Sequence, residues 1–186
     1  MAHIVAACIF WSLLIFGRAS SLSVKPPYLD PKTTKATLGG LVYVSGNQNV
    51  SGRFQFSSPE ESDWVNIVIS MRGLLQFNQT EGFAYHVHEH AVVDGNCSSA
   101  LGHFKVLTPK PSCKSEVPDY CQPAELAIRH GNLPGLVDVF TLRYNDNAIE
   151  LTGPNSIIGK SVVIHGANKT RLACGNIDTW TPGAKA

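Results

Sequence analysis

Residues 83–90 read Phe-Ala-Tyr-His-Val-His-Glu-His, with His86 and His88 two positions apart. Side chains on a β-strand alternate between its faces, so imidazoles at i and i+2 emerge on one side. His86 and His88 then share a face with Ala84, while Phe83, Tyr85 and Val87 point into a core. Two imidazoles on a rigid strand can hold one metal ion, although a solvated pair on an exposed face has the same spacing. Gly102-His103-Phe104 and Val162-Val163-Ile164-His165-Gly166 each add a histidine beside glycine at an expected strand boundary. Neutral imidazoles suit copper, zinc, iron or nickel, so ligand type alone does not choose the metal. His90 would join them only if the strand ran on past His88. The strand is expected to end there, which makes His90 a surface residue.

The elements that must position these histidines read as β-structure. Short β-branched and aromatic segments recur between clusters of Gly, Pro, Asn, Asp and Ser, as in an antiparallel sandwich or barrel. Strands are expected at 35–44, 53–56, 65–71, 83–88, 137–142, 149–151 and 161–165, with a last short one around Ile177. Turns are expected at Ser45-Gly46-Asn47, Tyr144-Asn145-Asp146-Asn147 and Gly153-Pro154-Asn155. From about Leu107 to Pro134 the chain is rich in proline and polar residues. A loop of that length in a compact domain is usually functional or disordered, and Cys113 and Cys121 inside it suggest a local staple.

The chain's 186 residues are 44% hydrophobic and 16% charged, which suits one folded domain. A net charge of +1 gives no reason to expect a nucleic acid or an anionic membrane surface as partner. Ile4 to Phe16 is a nearly unbroken apolar run followed by small residues. It has the length of a signal-peptide core and is too short to span a bilayer. Residues 1–19 are therefore expected to be a signal peptide, 20–33 an N-terminal extension, 34–180 the domain and 181–186 a tail. That tail has no apolar stretch, so no lipid anchor is expected. Cys8 would leave with the signal, and Cys97, Cys113, Cys121 and Cys174 remain as an even set. In an exported chain this reads as two disulfides, with three pairings open. Sequons at Asn49, Asn78, Asn96 and Asn168 point to the same secreted, extracellular route.

A family resemblance rests on three groups of residues: His86-Val87-His88-Glu89 with Cys97, Ser99-Ala100 and Gly102-His103-Phe104; Ile149-Glu150-Leu151-Thr152-Gly153 with 157–165; and Arg171-Leu172-Ala173-Cys174-Gly175. In this order they resemble copper/zinc superoxide dismutase over most of residues 34–178. The resemblance implies a Greek-key, eight-stranded antiparallel β-barrel or sandwich with long loops. It implies that His86, His88, His103 and His165 are copper ligands, and that Arg171 attracts and orients superoxide. It also pairs Cys97 with Cys174, which leaves Cys113 with Cys121.

The chain departs from the zinc-containing members in two places. Their further zinc ligands fall where this chain has Pro111, Tyr120 and Pro123, none of them an ordinary zinc ligand. His130 and Glu125 are the nearby alternatives, and one imidazole with one carboxylate does not complete a tetrahedral site. Only Gly166 to Thr170 separate His165 from Arg171, where those members carry a long charged loop. Both departures resemble the secreted copper-only superoxide dismutases, in which a carboxylate contacts the histidine that would otherwise bridge to zinc. Glu125 is the candidate for that contact and Gln122 the other position considered. Copper without zinc is expected, in a chain expected to be a monomer. The expected activity converts superoxide to dioxygen and hydrogen peroxide, with His103 and Arg171 at its centre and Lys169 helping to steer the anion. The alternative is a catalytically weak extracellular module that binds copper or a partner.

Overall fold

A computed structural model describes residues 36–59, 62–117 and 119–181. The expected signal peptide and N-terminal extension, and the tail beyond Thr181, lie outside the described residues. The eight strands are β1 (Ala36–Gly46), β2 (Ser51–Pro59), β3 (Val65–Arg72), β4 (Ala84–His88), β5 (Val139–Asp146), β6 (Ser161–His165), β7 (Arg171–Asn176) and β8 (Asp178–Trp180). All pair antiparallel in one ladder of order β4-β6-β7-β1-β2-β3-β5, with β8 also on β1. The one described α-helix, α1 (Leu126–His130), is short and lies in the long loop.

The ladder's two ends, β4 and β5, meet through side chains. The hydroxyls of Tyr85 on β4 and Tyr144 on β5 are 2.8 Å apart. Tyr85, Val87, Phe54, Ile67 and Ile164 belong to one buried core cluster, so the sheet curls around its own inner face. Apolar burial on that scale drives the curl. Phe83, Tyr85 and Val87 are all fully buried, as the alternation along this segment predicts.

Three expectations about strands are corrected. Residues 149–151 form no strand, and Glu150 keeps only an isolated bridge to Ser156. The cause is Asp146, whose Oδ1 accepts from the amides of Ala148 and Ile149 at 2.8 and 3.0 Å and turns the chain. β5 accordingly runs through Tyr144 and Asn145, and its turn begins later than expected. Instead of one short strand around Ile177, β7 and β8 both follow β1 and Ile177 separates them.

Candidate metal centre

β4 presents His86 and His88 on the face opposite Tyr85 and Val87. β6 pairs with it in the register Ala84↔His165, His86↔Val163 and His88↔Ser161, which sets His165 beside the start of β4. His103 is not in a strand. An isolated bridge to His88, with Glu89 N donating to Gly102 O and Phe104 N to Val87 O, fastens it against the end of β4. One ring nitrogen from each of His86, His88, His103 and His165 lies within 4.8 Å of one from every other. Among the described residues no other group of His, Cys, Asp or Glu converges in this way.

Hydrogen bonds settle which nitrogen each ring offers. His88 Nδ1 lies 2.9 Å from Leu101 O and His165 Nδ1 lies 3.4 Å from Lys169 O. Carbonyls only accept, so both rings carry their proton on Nδ1 and keep a lone pair on Nε2. Those two Nε2 atoms face each other at 3.1 Å. His103 donates Nδ1–H to Glu125 Oε1 at 2.7 Å, freeing its Nε2. Oε2 of Glu125 is 3.5 Å from His86 Nε2, while the buried His86 Nδ1 has no partner at all. Buried polar nitrogens ordinarily have one. Lone pairs aimed at one another and an orphaned ring nitrogen are a site built for a cation. The donor set fits copper.

Burial keeps His86, His88 and His165 neutral. Burial, followed by the neighbouring His103, pushes His86 down to about 3. Burial also lowers His88, to about 4, and lowers His165. An unprotonated imidazole is the form a metal ion binds. Burial alone would raise the Glu125 carboxyl, but the hydrogen bond from His103, with Lys105 adding a smaller pull, outweighs it. Glu125 is thus a carboxylate, 6% exposed, beneath two histidines.

Glu125 is itself held by a network with little sequence signal. It immediately precedes α1, and four residues on Arg129 donates to the carbonyls of Tyr120, Gln122 and Pro123. Arg129 also pairs with Asp146 at 2.6 Å, and the two side chains are 3% and 0% exposed. His130 bonds the same Asp146 oxygen at 2.7 Å and stacks on Tyr144. Of the two residues considered for holding His103, the structure places Glu125 there. Gln122 bonds both backbone groups of Val106 instead.

The remaining expected site residues are also located. Arg171 lines the histidine cavity and donates to the carbonyls of Cys97 and Leu101. Cys97 is bonded to Cys174 and Cys113 to Cys121. His90 stands outside the cluster, near Glu89 and exposed. The cavity, about 770 Å³, is bounded by 78–82, 101–103, Gly166, Ala167, Lys169 and Arg171 as well as by the histidines.

An all-β domain with four convergent imidazoles is a metalloprotein of well-defined type. The family model for copper/zinc superoxide dismutase matches residues 50–177, and the chain belongs to that family. Among curated proteins, cell surface superoxide dismutase [Cu-Zn] 6 of Candida albicans is 38% identical over 171 residues, covering 89% of this chain and 52% of that one. Cell surface Cu-only superoxide dismutase 5 of the same organism is 32% identical, covering 75% of this chain and 59% of that one. The chain thus spans little more than half the length of these relatives. A solved structure of Candida albicans superoxide dismutase 5 with Cu(II) is similar, with TM-score 0.66 and 28% identity over 80% of this chain and 96% of that one.

Proposed function

We propose that this chain is an exported superoxide dismutase that works at a single copper ion without zinc. The observation that carries the reading is Glu125 on Nδ1 of His103. The resemblance makes His103 the histidine that bridges copper to zinc in the zinc-containing members, and here a buried carboxylate takes its Nδ1–H. His130, the other nearby imidazole, is engaged with Asp146 and Tyr144. Its Nε2 is therefore committed away from Glu125.

In this reading His86 through Nδ1, and His88, His103 and His165 through Nε2, would hold the ion. Bound copper would supply one-electron exchange, so that one superoxide is oxidised to dioxygen and a second, with two protons, is reduced to hydrogen peroxide. Glu125 fixes the His103 ring and its tautomer, as an outer-sphere carboxylate does in metal sites generally. Arg171 offers a permanent positive charge in the cavity wall, already aimed by two carbonyls. Lys169 adds a second cation to the same wall. The apolar segment at 1–19, the two disulfides and the sequons at Asn49, Asn78, Asn96 and Asn168 support an extracellular site of action.

The reading is tested by metal analysis and dismutation assays on one secreted, copper-loaded sample, with His86→Ala beside it. One copper per chain, no zinc and activity lost in the variant are expected. Stoichiometric zinc would overturn the copper-only assignment. Bound copper with negligible turnover would leave a copper-binding module.

A further inference from the structure

Three of the four sequons open onto concavities that share one residue, Arg171. Asn78, Gln79 and Thr80 line the histidine cavity itself. Asn168 lines an adjoining depression with Gly166, Ala167 and Arg171. Asn96 lines a third with Cys97, Lys169 and Arg171. Asn49, the remaining sequon, lines none of the three.

All three asparagines are exposed and sit where an acceptor side chain is free to be modified. Asn78 follows the 3-10 turn Leu75–Phe77 in a left-handed conformation, φ 48°. Asn168 is in the turn between β6 and β7. Asn96 caps the 3-10 turn Cys97–Ala100 by accepting the Ser98 amide on Oδ1, which leaves Nδ2 open. The rim at Asn78 is firmly seated. A Cβ on Gly135 would stand 1.6 Å from the Gln79 carbonyl oxygen, so only glycine lets the two segments pack.

We propose that Asn78, Asn96 and Asn168 carry N-linked glycans that ring the mouth of the histidine cavity, admitting small anions and holding off macromolecules. The inference rests on the exported-enzyme reading. In the transfer, asparagine Nδ2 bonds the anomeric carbon of a lipid-linked oligosaccharide. The carbon–oxygen bond to the pyrophosphate breaks, one amide proton departs with the lipid pyrophosphate, and nothing is oxidised or reduced. Such a glycan adds hydrated bulk without charge. The field of Arg171 and Lys169 that draws a small anion therefore survives, while the approach of a folded protein is obstructed.

The test uses the full chain secreted from a eukaryotic host and loaded with copper. Intact mass and peptide mapping give occupancy at each sequon. Two probes are compared before and after enzymatic deglycosylation: azide binding, followed by optical and electron paramagnetic resonance spectra, and trypsin cleavage after Lys169 in its exposed turn. Occupancy at 78, 96 and 168 is expected, and deglycosylation should speed that cleavage by about tenfold, as for any unshielded loop tip. With an endoglycosidase that leaves one neutral sugar on each asparagine amide, azide affinity should move by less than about twofold, because no charge near Arg171 changes. The variants Thr80→Ala, Ser98→Ala and Thr170→Ala abolish the sequons without touching the asparagines and should reproduce the faster cleavage. Glycan at Asn49 alone overturns the proposal, as does cleavage indifferent to deglycosylation. Copper content is read separately: a glycosylated, protected chain that binds no copper sinks the enzyme reading and keeps the ring.

Discussion

Glu125 touches two of the four histidines at once, accepting from His103 Nδ1 at 2.7 Å with one oxygen and lying 3.5 Å from His86 Nε2 with the other. Removing it frees both rings to turn. Glu125→Ala is expected to lower copper affinity by roughly 10- to 100-fold, the usual range for losing such a partner. Glu125→Gln keeps the shape and should lie between the two. Competition with a chelator of known affinity measures the change. An unaltered affinity in both variants would mean that His103 is oriented by something else.

Arg171 is aimed at the cavity by the carbonyls of Cys97 and Leu101. Arg171→Ala should reduce kcat/KM and flatten its dependence on ionic strength, since a steering charge acts through a screened field. Arg171→Lys restores the charge without the planar fork and should recover the salt dependence better than the rate. A salt dependence identical in wild type and Arg171→Ala would place the steering elsewhere.

Much of this site is legible in the chain because strand alternation is a local rule. Phe83 to His88 places three side chains inward and two imidazoles outward with no knowledge of the rest of the fold. His103 and His165 are different. Spacing marks them only as histidines beside glycine, and their grouping with the first pair comes through family resemblance. The carbonyls of Leu101 and Lys169, which fix two tautomers, carry no side-chain signature whatever. Arg129 is likewise silent, because its partners are three carbonyls and an aspartate on β5. The strand expected at 149–151 failed for a related reason. Its apolar residues are core residues, but the Asp146 carboxylate takes their first amides out of any ladder.

Asp146 makes a prediction about acid. Burial alone would raise its carboxyl, but the hydrogen bond from His130 and the charge of Arg129 bring it from 3.8 down to about 2. A depressed folded value means the stabilisation is complete above about pH 4 and drains away as pH falls towards 2. The difference is worth about 2 kcal/mol. Unfolding by urea between pH 2 and 5 should show that slope in the wild type. Asp146→Asn should lack it and, with Arg129 buried and unpaired, should be less stable by about 3 kcal/mol at pH 7. A wild-type curve flat across this window would remove Asp146 from the account.

The Cys97–Cys174 bond closes a separation of 77 residues. On the chain-entropy view, replacing both cysteines by serine should cost about 4 kcal/mol of stability. It should also cost activity in molecules that remain folded, because Cys97 supplies one of the two carbonyls that aim Arg171. Dismutation measured well below the unfolding midpoint separates the two losses. Full activity there would show that Arg171 needs no help from the bond.

The pairing of β4 with β6 decides whether the four imidazoles come together. Two imidazoles ride on β4, the third is fastened to its far end, and the fourth arrives only when residue 165 is zipped alongside. Without that pairing the chain offers three of the four imidazoles. On the copper reading, the complete site exists only once β6 is paired with β4, so a copy that failed to close there would lack the fourth imidazole.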